Sequence, residues 1–210
     1  AAAAAAAAKA EREKKKKKKK KPAKEKEEPK KTQSGYGKCV YGPGEWYEGM
    51  WEDFERHGEG TYHWPDGRKY EGEWVRDKKH GLGRYYWSDG DRYEGEYRND
   101  KMDGQGTYFF SDGTRYQGAW KDDMSHGKGA FFYHDGAKYE GEFTNDRKHG
   151  VGLMTHVNGD VFQEHWVNGR CTKSVQVKAN SANVNPAPPP GKKKPGKSRP
   201  PGVMGSSAYV

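Results

Sequence analysis

The chain repeats itself every 23 residues over about 130 positions, and a fixed period held that long decides the architecture before local propensity does. Tyr47, Tyr70, Tyr93, Tyr116, Tyr139 and Phe162 open successive copies. The third residue of the first five is Gly49, Gly72, Gly95, Gly118 and Gly141. The fifth is aromatic: Trp51, Trp74, Tyr97, Trp120, Phe143 and, in the degenerate last copy, Trp166. A Gly-x-Gly pair follows, as at Gly81/Gly83 and Gly104/Gly106, and each copy closes on Asp-Gly or Asn-Gly, from Asp66-Gly67 to Asn158-Gly159. Gly35, Gly37 and Gly44 anticipate Gly58, Gly60 and Gly67 by one period, so a half copy precedes the first full one.

Within a copy the pattern is that of strands. Tyr-Glu-Gly-Glu-Trp alternates with period two, which puts Tyr70, Gly72 and Trp74 on one face and Glu71 and Glu73 on the other. The polar stretch Val75 to His80 reads as a six-residue loop, making each copy a β-hairpin. The Asp-Gly turn then fixes register. A two-residue loop there would put Tyr62 on the glutamate face. A three-residue loop, with Pro65 second in a type I turn and Gly67 left-handed, pairs Trp64 with Arg68, Tyr62 with Tyr70 and Gly60 with Gly72. That register gathers all signature aromatics and glycines on one face, including Tyr70, Trp74, Tyr85, Tyr93 and Tyr97. The expected fold is all-β: an elongated single-layer antiparallel ribbon of about a dozen short strands, with rings lying over bare glycine backbone.

These residues resemble the MORN repeat (membrane occupation and recognition nexus), whose pattern is close to YxGxW, GxGxY, DG. The resemblance covers Gly35 to about Asn168. It implies a scaffold. Proteins similar in build, nearly all repeats and no catalytic domain, occur among radial-spoke and other axonemal components of cilia and flagella. The resemblance therefore implies a cytoplasmic or cytoskeletal protein of the axoneme, with other subunits of a large complex such as radial-spoke proteins as partners. Some relatives associate with acidic phospholipids, so a membrane-surface adaptor is the alternative reading.

Charge divides the chain into three parts. Residues 1–34, an Ala/Lys-rich arm, hold 14 basic against 5 acidic side chains; residues 170–210, a Pro/Lys-rich tail, hold 8 against none; the repeat array 35–169 holds 17 against 25, a net of −8. The basic excess belongs to the arms. Lys14, Lys15, Lys16, Lys17 and Lys18 lie in an eight-lysine run. It reads as a solvated arm that binds acidic surfaces such as tubulin tails, with a helix ending before Pro22 or a nuclear-localisation segment as the other readings. Asn180 to Pro201 reads as an extended polyproline-type tail. No stretch has the length and apolarity of a transmembrane helix, and no secretory segment opens the chain. Cys39 and Cys171 lie far apart outside any CxxC pair and read as free thiols in a reducing compartment.

Catalysis finds no footing. His57, His80, His126 and His149 share one repeat position, but a repeat step of two strands separates neighbours by ~10 Å, too far for one zinc. No GxxxxGK[ST] precedes a helix and no nucleophile motif is present, so no enzyme, cofactor or metal site is expected. A piece of a larger lipid kinase or methyltransferase is disfavoured, because residues 170–210 hold no such domain. Nucleic acid is disfavoured by the acidic body. What remains is a surface. On the face opposite the glycines, Tyr86, Phe109 and Phe132 fall in one row and pair in register with Arg92, Arg115 and Lys138, with His63 and Lys69 extending it. The expected partner site is this row of exposed rings. The alternative is a self-satisfied surface in which the cations shield the rings.

Overall fold

The computed structural model describes residues 34–180. They form thirteen strands in a single sheet whose spatial order is the chain order, every neighbouring pair antiparallel. In sequence these are β1 (Ser34–Gly42), β2 (Glu45–Glu52), β3 (Glu55–His63), β4 (Lys69–Val75), β5 (Lys78–Tyr86), β6 (Arg92–Arg98) and β7 (Lys101–Phe109). They continue as β8 (Arg115–Lys121), β9 (Met124–Phe132), β10 (Lys138–Thr144), β11 (Arg147–Thr155), β12 (Val161–Val167) and β13 (Arg170–Lys178). The sheet thus runs past residue 169, where the repeat pattern ends, and β13 pairs with β12 to Lys178. The basic arm with Lys14 to Lys18, and the tail from 181 on, lie outside the described residues.

The Asp-Gly turn has the expected register. Trp64 N–H donates to the Arg68 carbonyl at 3.0 Å, Gly67 N–H donates to the Trp64 carbonyl at 3.1 Å, and Gly67 sits at φ 86. Gly60 faces Gly72 and Tyr62 faces Tyr70.

The other connection is a correction. Val75 to His80 is not a six-residue loop. Val75 pairs with Lys78, leaving only Arg76 and Asp77 as a two-residue turn at φ 48 and 63. Two consecutive left-handed residues make a type I′ turn, whose twist matches that of the flanking strands. Asn99-Asp100, Asp122-Asp123 and Asn145-Asp146 repeat it. The residues assigned to the loop are absorbed by a bulge. Gly72 faces Gly83 but Trp74 faces Lys79, so His80, Gly81 and Leu82 stand opposite Glu73 alone. Gly81 takes φ 55 to make that kink.

The turns also join the copies. The second turn residue reaches back one hairpin: Asp77 N–H donates to the Arg56 carbonyl at 3.1 Å, and Arg56 N–H donates to the Asp77 carboxylate at 3.0 Å. The reciprocal pair recurs between Asp100 and Lys79, Asp123 and Met102, and Asp146 and Ser125.

With one layer, the core must cover itself. Tyr47, Tyr70, Tyr93, Tyr116 and Tyr139 are 0% exposed. Each ring lies on the glycine pair beside it, so tightly that a Cβ on Gly83 or Gly106 would overlap the Tyr70 or Tyr93 ring. Edge-to-face contacts then run unbroken along the ribbon: Trp74 meets Tyr47 at 5.5 Å and Tyr70 at 5.1 Å, and Trp120 meets Tyr93 at 5.3 Å and Tyr116 at 5.2 Å. Such pairs add about 0.5–1.5 kcal/mol each beyond area burial. Trp74 and Trp120 also donate their indole N–H to the carbonyls of Gly60 and Gly106, each at 3.2 Å, tying their hairpins to the ones before. A second, tilted column, Tyr62, Trp64, Tyr85, Trp87, Tyr108 and Phe110, runs along the Asp-Gly edge.

Candidate interaction surface

The aromatic–glycine face covers itself, and strand alternation puts the ring row on the opposite face. Each cation of that row stands in register between two rings. Arg92 faces Tyr86 across the Asp-Gly turn and Phe109 on the other side. The charge chooses the latter. Arg92 Cζ lies 4.2 Å from the Phe109 centroid, Arg115 Cζ 3.8 Å from that of Phe132, and Lys69 Nζ 4.4 Å from that of Tyr86. Lys138 Nζ stands 6.0 Å from Phe132, at the limit of such an attraction. The rings are accordingly half-buried rather than fully exposed, each with one face under a cation stem from the preceding strand.

Carboxylates two residues along the same strand hold these cations in place. Lys69 pairs with Glu71 at 2.7 Å, Arg92 with Glu94 at 3.1 Å and Lys138 with Glu140 at 2.8 Å. The hydrogen bond from Lys69 holds the Glu71 carboxyl below the usual range, so it stays charged. In the fourth copy Gln117 stands where the carboxylate should be, and Arg115 has no acidic partner among the described residues. The row is therefore electrically uneven. Its cationic point falls between Phe109 and Phe132.

Sequence reasoning missed a second row of cations on the aromatic face. Arg56 Cζ lies 4.3 Å from Trp74, and Lys79 Nζ 4.6 Å from Tyr85. Lys148 Nζ lies 4.0 Å from Tyr139 and 4.5 Å from Trp166, and donates to the Tyr133 hydroxyl at 2.8 Å. Burial drives the Lys148 ammonium down to about 8 and pushes the Tyr133 phenol up to about 12. The signal was in the repeat: Arg56, Lys79, Met102, Ser125 and Lys148 share one position, and its apolar and small members mark it as buried.

Among the described residues no three His, Cys, Asp or Glu side chains come together to hold a metal ion, and no helix is long and apolar enough to cross a membrane. Cys39 is buried and Cys171 exposed, both unbridged.

A MORN-repeat profile matches residues 47–67, 70–92, 93–115, 116–138 and 139–161, more than half the chain. The chain belongs to the MORN-repeat family. These MORN repeats make it an interaction module, of the kind that binds proteins or membranes, in a family that is generally non-catalytic. No curated protein matches the chain. Among solved structures it is similar to the TCP domain of SAS-4 (dCPAP), in complex with a proline-rich motif of Ana2 (dSTIL) of Drosophila melanogaster. The two are 14% identical with a TM-score of 0.39, over 75% of this chain and 96% of that one.

Proposed function

We propose that this MORN-repeat protein is a non-catalytic scaffold of a large assembly, an axonemal complex of cilia or flagella such as the radial spoke. It docks protein subunits on the sheet face that carries Tyr86, Phe109 and Phe132. The observation that carries this reading is the division of labour between faces. One face consumes its aromatics in self-covering, while the other displays half-covered rings and charges at a constant interval, suited to a helix or strand laid across the strands. Arg92, Arg115 and Lys138 orient the rings and supply the charge a partner reads, and Lys14 to Lys18 hold acidic surfaces such as tubulin tails. The axonemal setting rests on the resemblance in build, a repeat array flanked by basic arms.

Changing Phe109 and Phe132 together to Ser is expected to abolish incorporation into isolated axonemes while leaving the β-sheet circular dichroism intact. Unchanged incorporation would remove the ring row from the interface. Deleting residues 1–34 tests the arm separately: association should weaken, and the residual association should fall with added salt. Acidic-lipid vesicles retained equally by chains with and without the double change would favour the membrane-surface alternative.

A further inference from the structure

One repeat position on the outer face is filled in some copies and open in another. At the bulge of the second copy, Leu82 N–H donates to the Glu73 carboxylate at 2.8 Å. In the third, Gln105 N–H donates to Glu96, also at 2.8 Å. The bulge turns this amide out of the strand ladder, and a carboxylate from the facing strand satisfies it. The equivalent residues are Met50 in the first copy, Ala119 in the fourth and Glu142 in the fifth.

The fourth copy keeps the bulge and loses the acid. Gly127 holds φ 65, close to the 55 of Gly81, so the backbone kink is the same. A Cβ on Gly81 would run into the Glu73 carboxylate, whereas one on Gly127 would meet only Ala119 Cβ, at 3.6 Å. In the first copy Met50 covers the corresponding space, its Cβ lying 3.3 Å from a Cβ built on Gly58. In the fourth copy no side chain among the described residues accepts from Lys128 N–H, and the exposed Lys128 ammonium makes no ion pair there. Glu142 faces Lys128 in register, but its carboxylate lies beside Gly150, at the bulge of its own copy. Directly adjoining, a concavity of about 530 Å³ opens over the fourth and fifth copies, lined by Lys128, Ala130, Phe132 and Val151 and by two acidic residues, Glu140, which is paired with Lys138 at 2.8 Å, and Glu142. Ala130 lies in its wall where the second copy has Arg84.

We infer that the bulge at Gly127–Lys128 is a receptor for a carboxylate side chain of a partner protein. The incoming Asp or Glu takes the place that Glu73 and Glu96 occupy in their own copies. It accepts from Lys128 N–H, pairs with the Lys128 ammonium, and brings an adjacent apolar residue onto Ala130, Phe132 and Val151. The chemistry is written in the neighbouring copies: the equivalent bulge amide already binds a carboxylate at Leu82, where the glycine holds nearly the same φ as Gly127, and again at Gln105, where Gly104 opens to φ 120. The chain's own tail does not supply the ligand, since residues 181–210 carry no Asp or Glu side chain. This inference rests on the scaffold reading and narrows it to one acidic, partly apolar segment.

The test uses the full chain and needs no knowledge of the assembly. Sodium acetate is titrated into isotope-labelled protein at constant ionic strength, with chloride and inorganic phosphate as controls, and backbone amide resonances are followed. The Lys128 amide should shift with acetate while those of Leu82 and Gln105, already bonded, stay still. Ala119→Glu should remove the response and raise the thermal midpoint, because the missing acid is restored within the chain. A blocked peptide holding Glu beside Leu should bind roughly tenfold more tightly than its Gln counterpart, as a charge-assisted hydrogen bond requires. That preference should vanish in Ala119→Glu. A Lys128 amide indifferent to acetate, or one that responds to phosphate alone, overturns the assignment. Acetate binding at Lys128 with normal axonemal incorporation of Ala119→Glu would uphold the site and tell against its use in that assembly.

Discussion

At the scale of single residues, glycine acts in two physically different ways. Gly106 is required by proximity: a Cβ there would overlap the Tyr93 ring, which is fully buried and fixed by Tyr97 at 5.2 Å and Trp120 at 5.3 Å. Gly113 is required by conformation alone, since it sits at φ 87 and a Cβ would meet nothing within 4 Å. Gly106→Ala should therefore cost about 3 kcal/mol, at the upper end of overpacking penalties, because neither ring nor backbone has room to retreat. Gly113→Ala should cost only about 1 kcal/mol of left-handed strain. Chemical denaturation of the two variants checks the order, and equal losses would show that the Tyr93 ring can move. The glycine–tyrosine stack was legible in the sequence because both residues recur on one face. The cation over each outer ring was legible only as a register partner, since the choice of Phe109 over Tyr86 by Arg92 is a matter of side-chain direction.

At the scale of the hairpin, the type I′ turn is the device that makes a stack from separate copies. Its left-handed second residue is Asp in four copies, and the Asp accepts an amide hydrogen bond from the hairpin before while donating its own N–H back. Asp123→Ala leaves the amide of Met102, a residue 2% exposed, without its charged acceptor. The expected loss is about 2 kcal/mol, the cost of a buried donor left unpaired. Asp123→Asn should lose less, because it keeps an acceptor oxygen and tolerates the left-handed conformation. Urea unfolding of the pair measures the difference, and identical midpoints would assign the loss to the turn alone. This device was not legible, for a definite reason. The bulge sets three residues against one, which leaves the side-chain alternation unchanged, so Trp74 and Gly83 share a face either way. Parity, which settled the Asp-Gly turn, is silent at the bulge. The turn residues Arg76-Asp77 and Asp53-Phe54 further disguise it, since neither is the Asn-Gly usual in such turns. The open receptor at Lys128 inherits the same obscurity: Ala119 among glutamates is visible in the sequence, but its meaning depends on the bulge.

At the scale of the whole molecule, stability is spread along one dimension, each strand hydrogen-bonded in the sheet only to its chain neighbours, and the same buried phenol recurs in every full copy. That repetition makes the ribbon sensitive to alkali. Burial, before any charge effect, raises Tyr47, Tyr70, Tyr93, Tyr116 and Tyr139 well above their ordinary value. In the unfolded chain each phenol loses its proton near about pH 10, while in the sheet it keeps it. The folded state then binds more protons than the unfolded one, so stability falls as pH rises past that point. Lys148 works the other way. Its ammonium, pushed down to about 8 by burial, carries a penalty at neutral pH that is relieved as pH climbs toward the ordinary lysine value. The thermal midpoint should therefore rise modestly above pH 8 and then fall steeply beyond about pH 10, where the tyrosines act together. Lys148→Met, which installs the residue the third copy already carries as Met102, should erase the rise and leave the fall. Phenolate absorbance followed beside circular dichroism supplies the check. Most of the tyrosine signal should appear in one step with loss of the sheet, and gradual phenol titration with the sheet intact would contradict the burial on which the ribbon depends.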